Sequence, residues 1–162
     1  VSFELTVQLL LLLLAANGSP VLGRYLLGRH GAQPVDGGRL WRDGERLLGD
    51  SKTWRGLIIG VTACTVVSLL LGLGGPFGVM FGALALLGDL FSSFIKRRRH
   101  LRSSSRATGL DQLPEAILPV GMGAFWLDYN WQEVAVTVLL FMLADMLLSP
   151  LLYRLGIRRQ PH

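Results

Sequence analysis

Four apolar stretches dominate this chain, at residues 3–22, 57–73, 76–95 and 131–153, and none of its sixteen Lys and Arg side chains falls inside them. The hydrocarbon core of a bilayer takes about 20 mostly apolar residues per helix, so each stretch is long enough, or nearly so, to cross one. The cations collect in three alternate segments: seven in 24–56, six in 96–106, and Arg154, Arg158 and Arg159 in the tail. The connections near 73–76 and 127–131 carry none, and the N-terminus carries only Glu4. By the positive-inside rule the basic segments share the cytoplasm. That requires a fifth crossing at 113–127, a weaker stretch whose Pro114 and Pro119 make it a kinked or partly re-entrant helix. The expected fold is an all-α integral membrane protein of about five transmembrane helices, with 1–162 forming one membrane domain. The N-terminus lies outside, the C-terminus lies in the cytoplasm, and two long cytoplasmic loops span about 24–56 and 96–112.

Several function classes fall away on the same evidence. The chain is 51% hydrophobic with a mean hydropathy of +0.45, high for a soluble domain. Residues 1–23 hold no Lys or Arg, which argues against a cleaved signal peptide at the leucine run. Cys64 is alone, so it reads as a small packing residue. His30, His100 and His162 are scattered without metal-ligand spacing. The net charge of +5 sits in membrane-proximal segments with no nucleic-acid module beside it, so no nucleic-acid partner is expected. Topology and anionic head groups can account for Arg97–Arg99.

The first basic segment asks for more than topology. Positions 36–56 mix glycines, acids and bases directly before an apolar helix, and close with Ser51-Lys52-Thr53-Trp54-Arg55-Gly56. Two cations and two hydroxyls thus meet a helix N-terminus, whose free N–H groups and dipole already favour an anion. A phosphate site is the physical expectation, although the Walker spacing is absent. Carboxylates supply the other half. Asp89 lies within an apolar stretch, seven residues before Lys96, and an ionisable group there is functional by default. Asp111 and Glu115 stand at i, i+4 spacing and can share a helix face. Such acids suit a hard divalent ion, with Mg²⁺ favoured because it bridges one or two carboxylates to substrate phosphates. The competing reading pairs Asp89 with a loop arginine and lets Asp111 simply begin a helix. Asp145, deep in the last stretch, either serves interhelical hydrogen bonding or lines a cavity, with the structural role favoured.

The residues also resemble a known family. Ser92-Ser93-Phe94-Ile95-Lys96-Arg97 is similar to the opening of the phosphatidate cytidylyltransferase signature, and 51–56 resembles that family's Lys-Thr-Trp-Glu-Gly segment. Asn17-Gly18-Ser19-Pro20-Val21, the run from Asp43 to Thr53, and Leu110-Asp111-Gln112-Leu113-Pro114-Glu115 resemble the archaeal branch, the CDP-archaeol synthases. The likeness covers about residues 15 to 120 in order. It departs from the bacterial and eukaryotic pattern after Lys96-Arg97, where an Arg- and Ser-rich run to Arg106 replaces a Lys-Asp pair, and at 111–115. The resemblance implies CMP transfer from CTP to an isoprenoid glycerol-phosphate lipid, unsaturated archaetidic acid, at the cytoplasmic face of the cell membrane. It further implies Mg²⁺ on Asp89 and Asp111, with Lys52, Arg55, Lys96 and Arg97 around the phosphates. Asn17, Ser51, Thr53, Ser92, Ser93 and Glu115 are then expected to bind substrate. Two alternatives remain beside it: the same chemistry on a diacyl phosphatidic acid, and a small membrane transporter. Oligomeric state is open.

Overall fold

The computed structural model describes residues 1–101 and 109–155; Arg102, Arg106, Arg158, Arg159 and His162 lie outside the described residues. The described residues form five helices: α1 (Phe3–Leu27), α2 (Trp54–Leu70), α3 (Gly75–Arg98), α4 (Gln112–Leu127) and α5 (Trp131–Arg154). Three stretches, Phe3–Leu27, Gly75–Arg98 and Trp131–Pro150, are long and apolar enough to cross a membrane. Helix α2 is shorter, 17 residues, and α4 has 16, about 24 Å of rise for the latter.

α3 is central. It packs chiefly against α2 and α4, while α1 covers α2 and reaches α3 and α5. Small residues allow the helices to approach closely, as membrane helix pairs require. A Cβ on Gly78 or Gly82 would strike Ser68, Thr65 or Cys64 of α2, at 2.6 to 2.9 Å for the nearest atoms. Cys64 is fully buried there, which is the packing role expected of it. The core between the helices is filled by Leu9, Leu12, Leu13, Phe77, Phe81, Val120 and Phe141. Leu70, Leu147, Phe125 and Ile58 face outward, as lipid-facing residues do.

The helix bounds depart from the apolar stretches by up to five residues, and two of the departures have a visible reason. The first helix does not end near 22 but continues through Pro20 to Leu27. Pro20 removes the N–H that would bond the Ala16 carbonyl; that oxygen instead lies against Gly60, where an added Cβ would come within 2.7 Å. The helix stops at Gly28, whose φ of +55° suits glycine. Second, α2 begins at Trp54 rather than 57, because the Thr53 hydroxyl accepts the Gly56 N–H at 3.1 Å and caps the helix. Pro114 falls in the first turn of α4, where no intrahelical bond is lost. Helix α4 runs without a break past Pro119.

Candidate functional site

The segment between α1 and α2 is a folded cap with a carboxylate at its centre. Asp36 accepts the backbone N–H groups of Gly38, Leu48 and Gly49 at 3.0–3.1 Å and a bidentate contact from Arg46 at 2.6 and 3.2 Å. Arg46 also reaches Asp50 at 2.9 Å. Backbone pairing of Leu40 with Arg46, and of Pro34 with Thr53, closes the cap at both ends. Burial opposes ionisation of Asp36, but the Arg46 guanidinium and the three N–H donors outweigh it and hold the carboxyl well below the usual range. A depressed pKa contributes stability above the unfolded value of about 3.9 and loses it as pH falls through the folded value. Protease resistance of residues 33–53 should therefore survive down to about pH 4 and fail well below it. Asp36→Asn should raise the cleavage rate at pH 7 by about tenfold, the scale of one lost charged hydrogen bond; unchanged cleavage would show that the cap does not depend on this carboxylate.

Arg98 fastens the cap to α3. Its guanidinium donates to Asp43 at 2.7 Å and to the Arg46 carbonyl at 2.6 Å. It also lies 5.0 Å from the Phe94 ring and 5.9 Å from that of Trp41, which meet edge to face. Topology and lipid head groups, expected from sequence to explain this cation, leave out its main engagement: Arg98 is a structural clasp.

The cap ends at Lys52, and here the expected site residues converge. Lys52 Nζ lies 2.5 Å from Asp89 of α3, so the partner of the intramembrane acid is a loop lysine rather than a loop arginine. About two turns further along α3, Lys96 meets Asp111 at 2.6 Å. Asp111 occupies the cap position of α4 but makes no side-chain capping bond. Glu115, one turn later, is buried and stands in the field of Asp89, Lys52, Asp145 and Asp111. The juxtaposition depends on Gly88: a Cβ there would collide with the Pro114 carbonyl group and come within 2.6 Å of Glu115 Cα. Arg97 is only 6% exposed, and its Nε is buried without a hydrogen-bond partner. The Asn17 amide nitrogen on α1 is likewise buried and unpartnered. A buried guanidinium with one unmet N–H and an amide with its nitrogen unmet are suited to an oxygen-rich ligand.

Other expected residues are engaged differently. Arg55 donates to the carbonyls of Gly28 and His30, at 3.1 Å for Gly28, and so holds the end of α1 rather than standing ready for phosphate. Thr53 spends its acceptor on the α2 cap. Ser92 donates to Gly88 of its own helix at 2.9 Å, and Ser93 is buried beside it. Ser51 is half-buried in the cap. Among the described residues, no three His, Cys, Asp or Glu side chains converge as a metal-binding group. Asp89 and Asp111, each about a quarter exposed and each satisfied by an ammonium group, fit a hard cation shared with substrate phosphates better than an all-protein cage.

Comparison with known proteins bears on this arrangement. A family model described as CarS-like, CDP-archaeol synthase, matches residues 3–80 and 75–162. A CDP-archaeol synthase of Thermococcus gammatolerans is 49% identical over 111 residues; the match covers 60% of each chain, less than two thirds of that relative. One of Pyrobaculum arsenaticum is 38% identical over 144 residues, 86% of this chain and 81% of that one. A solved structure, described as an intramembrane enzyme for archaeal membrane lipids biosynthesis, is similar with a TM-score of 0.64 at 28% identity, covering 84% of this chain and 92% of the other.

Proposed function

The chain belongs to the CDP-archaeol synthase family, and on that premise we propose that it transfers CMP from CTP to the phosphate of unsaturated archaetidic acid, giving a CDP-lipid and pyrophosphate. The observation that carries the reading is the paired arrangement of Lys52 with Asp89 and Lys96 with Asp111. Two polyanions must meet, and here cations and carboxylates from the cap, α3 and α4 lie together at the end of the bundle that bears the basic segments.

In this reaction a phosphate oxygen of the lipid attacks the α-phosphorus of CTP. A P–O bond forms, the bond to the β-phosphate breaks, and pyrophosphate leaves with the electron pair. The second pKa of a phosphate monoester is about 6, so the attacking oxygen is already ionised at neutral pH and requires no strong base. That suits a site built without histidine. Lys52, Lys96 and Arg97 position the phosphates and stabilise the charge that grows on the leaving group. Asp89 and Asp111 are the carboxylates that would hold Mg²⁺, which would supply further neutralisation of the triphosphate. On binding, the CTP phosphates would take the Lys52 and Lys96 ammonium groups from Asp89 and Asp111. The Asn17 amide donates a hydrogen bond to substrate. The isoprenoid chains remain between the helices and the lipid.

Purified protein given radiolabelled CTP, Mg²⁺ and a panel of lipid phosphates tests the reading directly. Label should appear in lipid with the isoprenoid glycerol phosphate, and transfer should require Mg²⁺. Transfer only to a diacyl phosphatidic acid would reassign the lipid; no transfer to any phosphate would overturn the proposal.

The reading also needs a multi-pass protein whose cap and active site lie in the cytoplasm, with all five helices crossing. Segregation of the cations supports that orientation. Single-cysteine labelling in a Cys64→Ala background should place position 40, at the exposed tip of the cap, and position 104 on the same side as the C-terminus. Labelling of 40 and 104 from opposite sides would break the five-crossing topology.

A further inference from the structure

Asp145 is a second acid within an apolar helix, and the reaction outlined above makes no use of it. Its surroundings are specific. Both carboxylate oxygens are engaged: Oδ2 accepts from Gln112 Nε2 at 2.9 Å, and Oδ1 accepts from Ser149 at 3.4 Å. Gln112 is 4% exposed, and the other end of its amide accepts the Gly109 N–H at 2.9 Å. Gly109 has φ of +86°, a turn conformation that a side chain rarely adopts, and its carbonyl accepts the Leu113 N–H. A chain of hydrogen bonds therefore runs from α5 through Gln112 into the turn that opens α4.

Asp111 lies inside that turn. A helix start is ordinarily secured by a side chain at the cap position, but Asp111 makes no such bond and is turned toward Lys96. Something else has to hold the first turn of α4, and the Gln112 bridge is placed to do so. We propose that Asp145 is a positioning residue that acts through Gln112 to fix the turn from which α4 presents Asp111 to Lys96. A half-buried carboxylate within an apolar span is costly, and the return is a fixed orientation for a site acid that makes no capping bond. The inference deepens the cytidylyltransferase reading and rests on it for the consequence in catalysis; the hydrogen-bonded clamp itself does not.

The test uses Asp145→Ala, Asp145→Asn, Gln112→Ala and the Asp145→Ala/Gln112→Ala pair, each in full-length protein in lipid nanodiscs. Two readouts are taken. Hydrogen exchange of the 109–116 peptide, measured without substrate, should speed up in both alanine variants and stay close to wild type in Asp145→Asn, which can still accept from Gln112. CMP transfer should fall by about tenfold to a hundredfold in kcat, the range expected of a misplaced group, with KM for CTP within about threefold of wild type in this purely orienting role. The paired variant should lose no more than the worse single one, because both residues belong to one clamp. Asp145→Asn as impaired as Asp145→Ala would overturn the inference and indicate that the charge itself is used. Unaltered exchange in both alanine variants would also overturn it. If the wild type transfers no CMP while exchange follows the expected pattern, the cytidylyltransferase reading fails and the clamp stands.

Discussion

Asp89→Asn and Asp111→Asn should each reduce CMP transfer by at least about a hundredfold, the scale seen when one preorganised electrostatic contact is removed from a phosphoryl- or acyl-transfer site. The amide is nearly the same size as the carboxylate and can still accept a hydrogen bond from Lys52 or Lys96, so packing is preserved. The lost quantity is negative charge. Because Asp89 and Asp111 are partly exposed, the pairs add little to stability, and thermal midpoints in detergent should stay within a few degrees of wild type. The measurement is a Mg²⁺ titration of label transfer from CTP alongside a melting curve for each variant. Near-normal Mg²⁺-dependent turnover in both would remove these acids from the metal site. A melting loss as severe as the activity loss would instead make the Lys–Asp pairs structural.

Gly88→Ala should be the most damaging conservative change in the bundle. The added methyl meets backbone, the Pro114 carbonyl group and Glu115 Cα, and neither can rotate away. Helices α3 and α4 must separate, and overpacking of this kind costs about 1–3 kcal/mol. The functional effect should exceed the effect on stability, since the same displacement pulls Asp89 on α3 away from Asp111 and Glu115 on α4; misplacement by about 1 Å costs on the order of a hundredfold in rate. Gly18→Ala is the control, because a Cβ there meets nothing within 4 Å and alanine favours a helix. If Gly88→Ala and Gly18→Ala retained equal transfer activity, the close α3–α4 crossing would not matter to the site.

Sequence reached far in some directions. Helix content and the places where helices lie follow from apolar runs bounded by charge, since a bilayer tolerates only backbones that bond internally. That Asp89, within an apolar stretch, needs a partner was legible from the cost of charge there; the grouping of Lys52, Asp89, Lys96 and Asp111 came from the resemblance. Neighbours distant in sequence add what local rules leave open. Residues 3–22 read as one apolar stretch, and α1 runs through Pro20 to Leu27 with the freed Ala16 carbonyl lying against Gly60. Arg55 reads as a phosphate ligand beside Lys52, and its guanidinium donates to two carbonyls at the end of α1.

Short-range spacing and the cost of charge in hydrocarbon suffice to make the chain helical, to put its cations in alternate connections, and to place acids and lysines near helix ends. Which lysine serves which acid, the hold of Arg98 and Asp36 on the cap, and the tie from Gln112 to Asp145 emerge only once the helices are packed. Asp36 and Arg46 are ten residues apart, Lys52 and Asp89 thirty-seven, and Gln112 and Asp145 thirty-three. No periodicity encodes contacts at those separations. They are set by how closely the helices can approach, and at Gly60, Gly78, Gly82 and Gly88 that distance is fixed by the absence of a side chain, whose consequence appears only when the opposing backbone is in place.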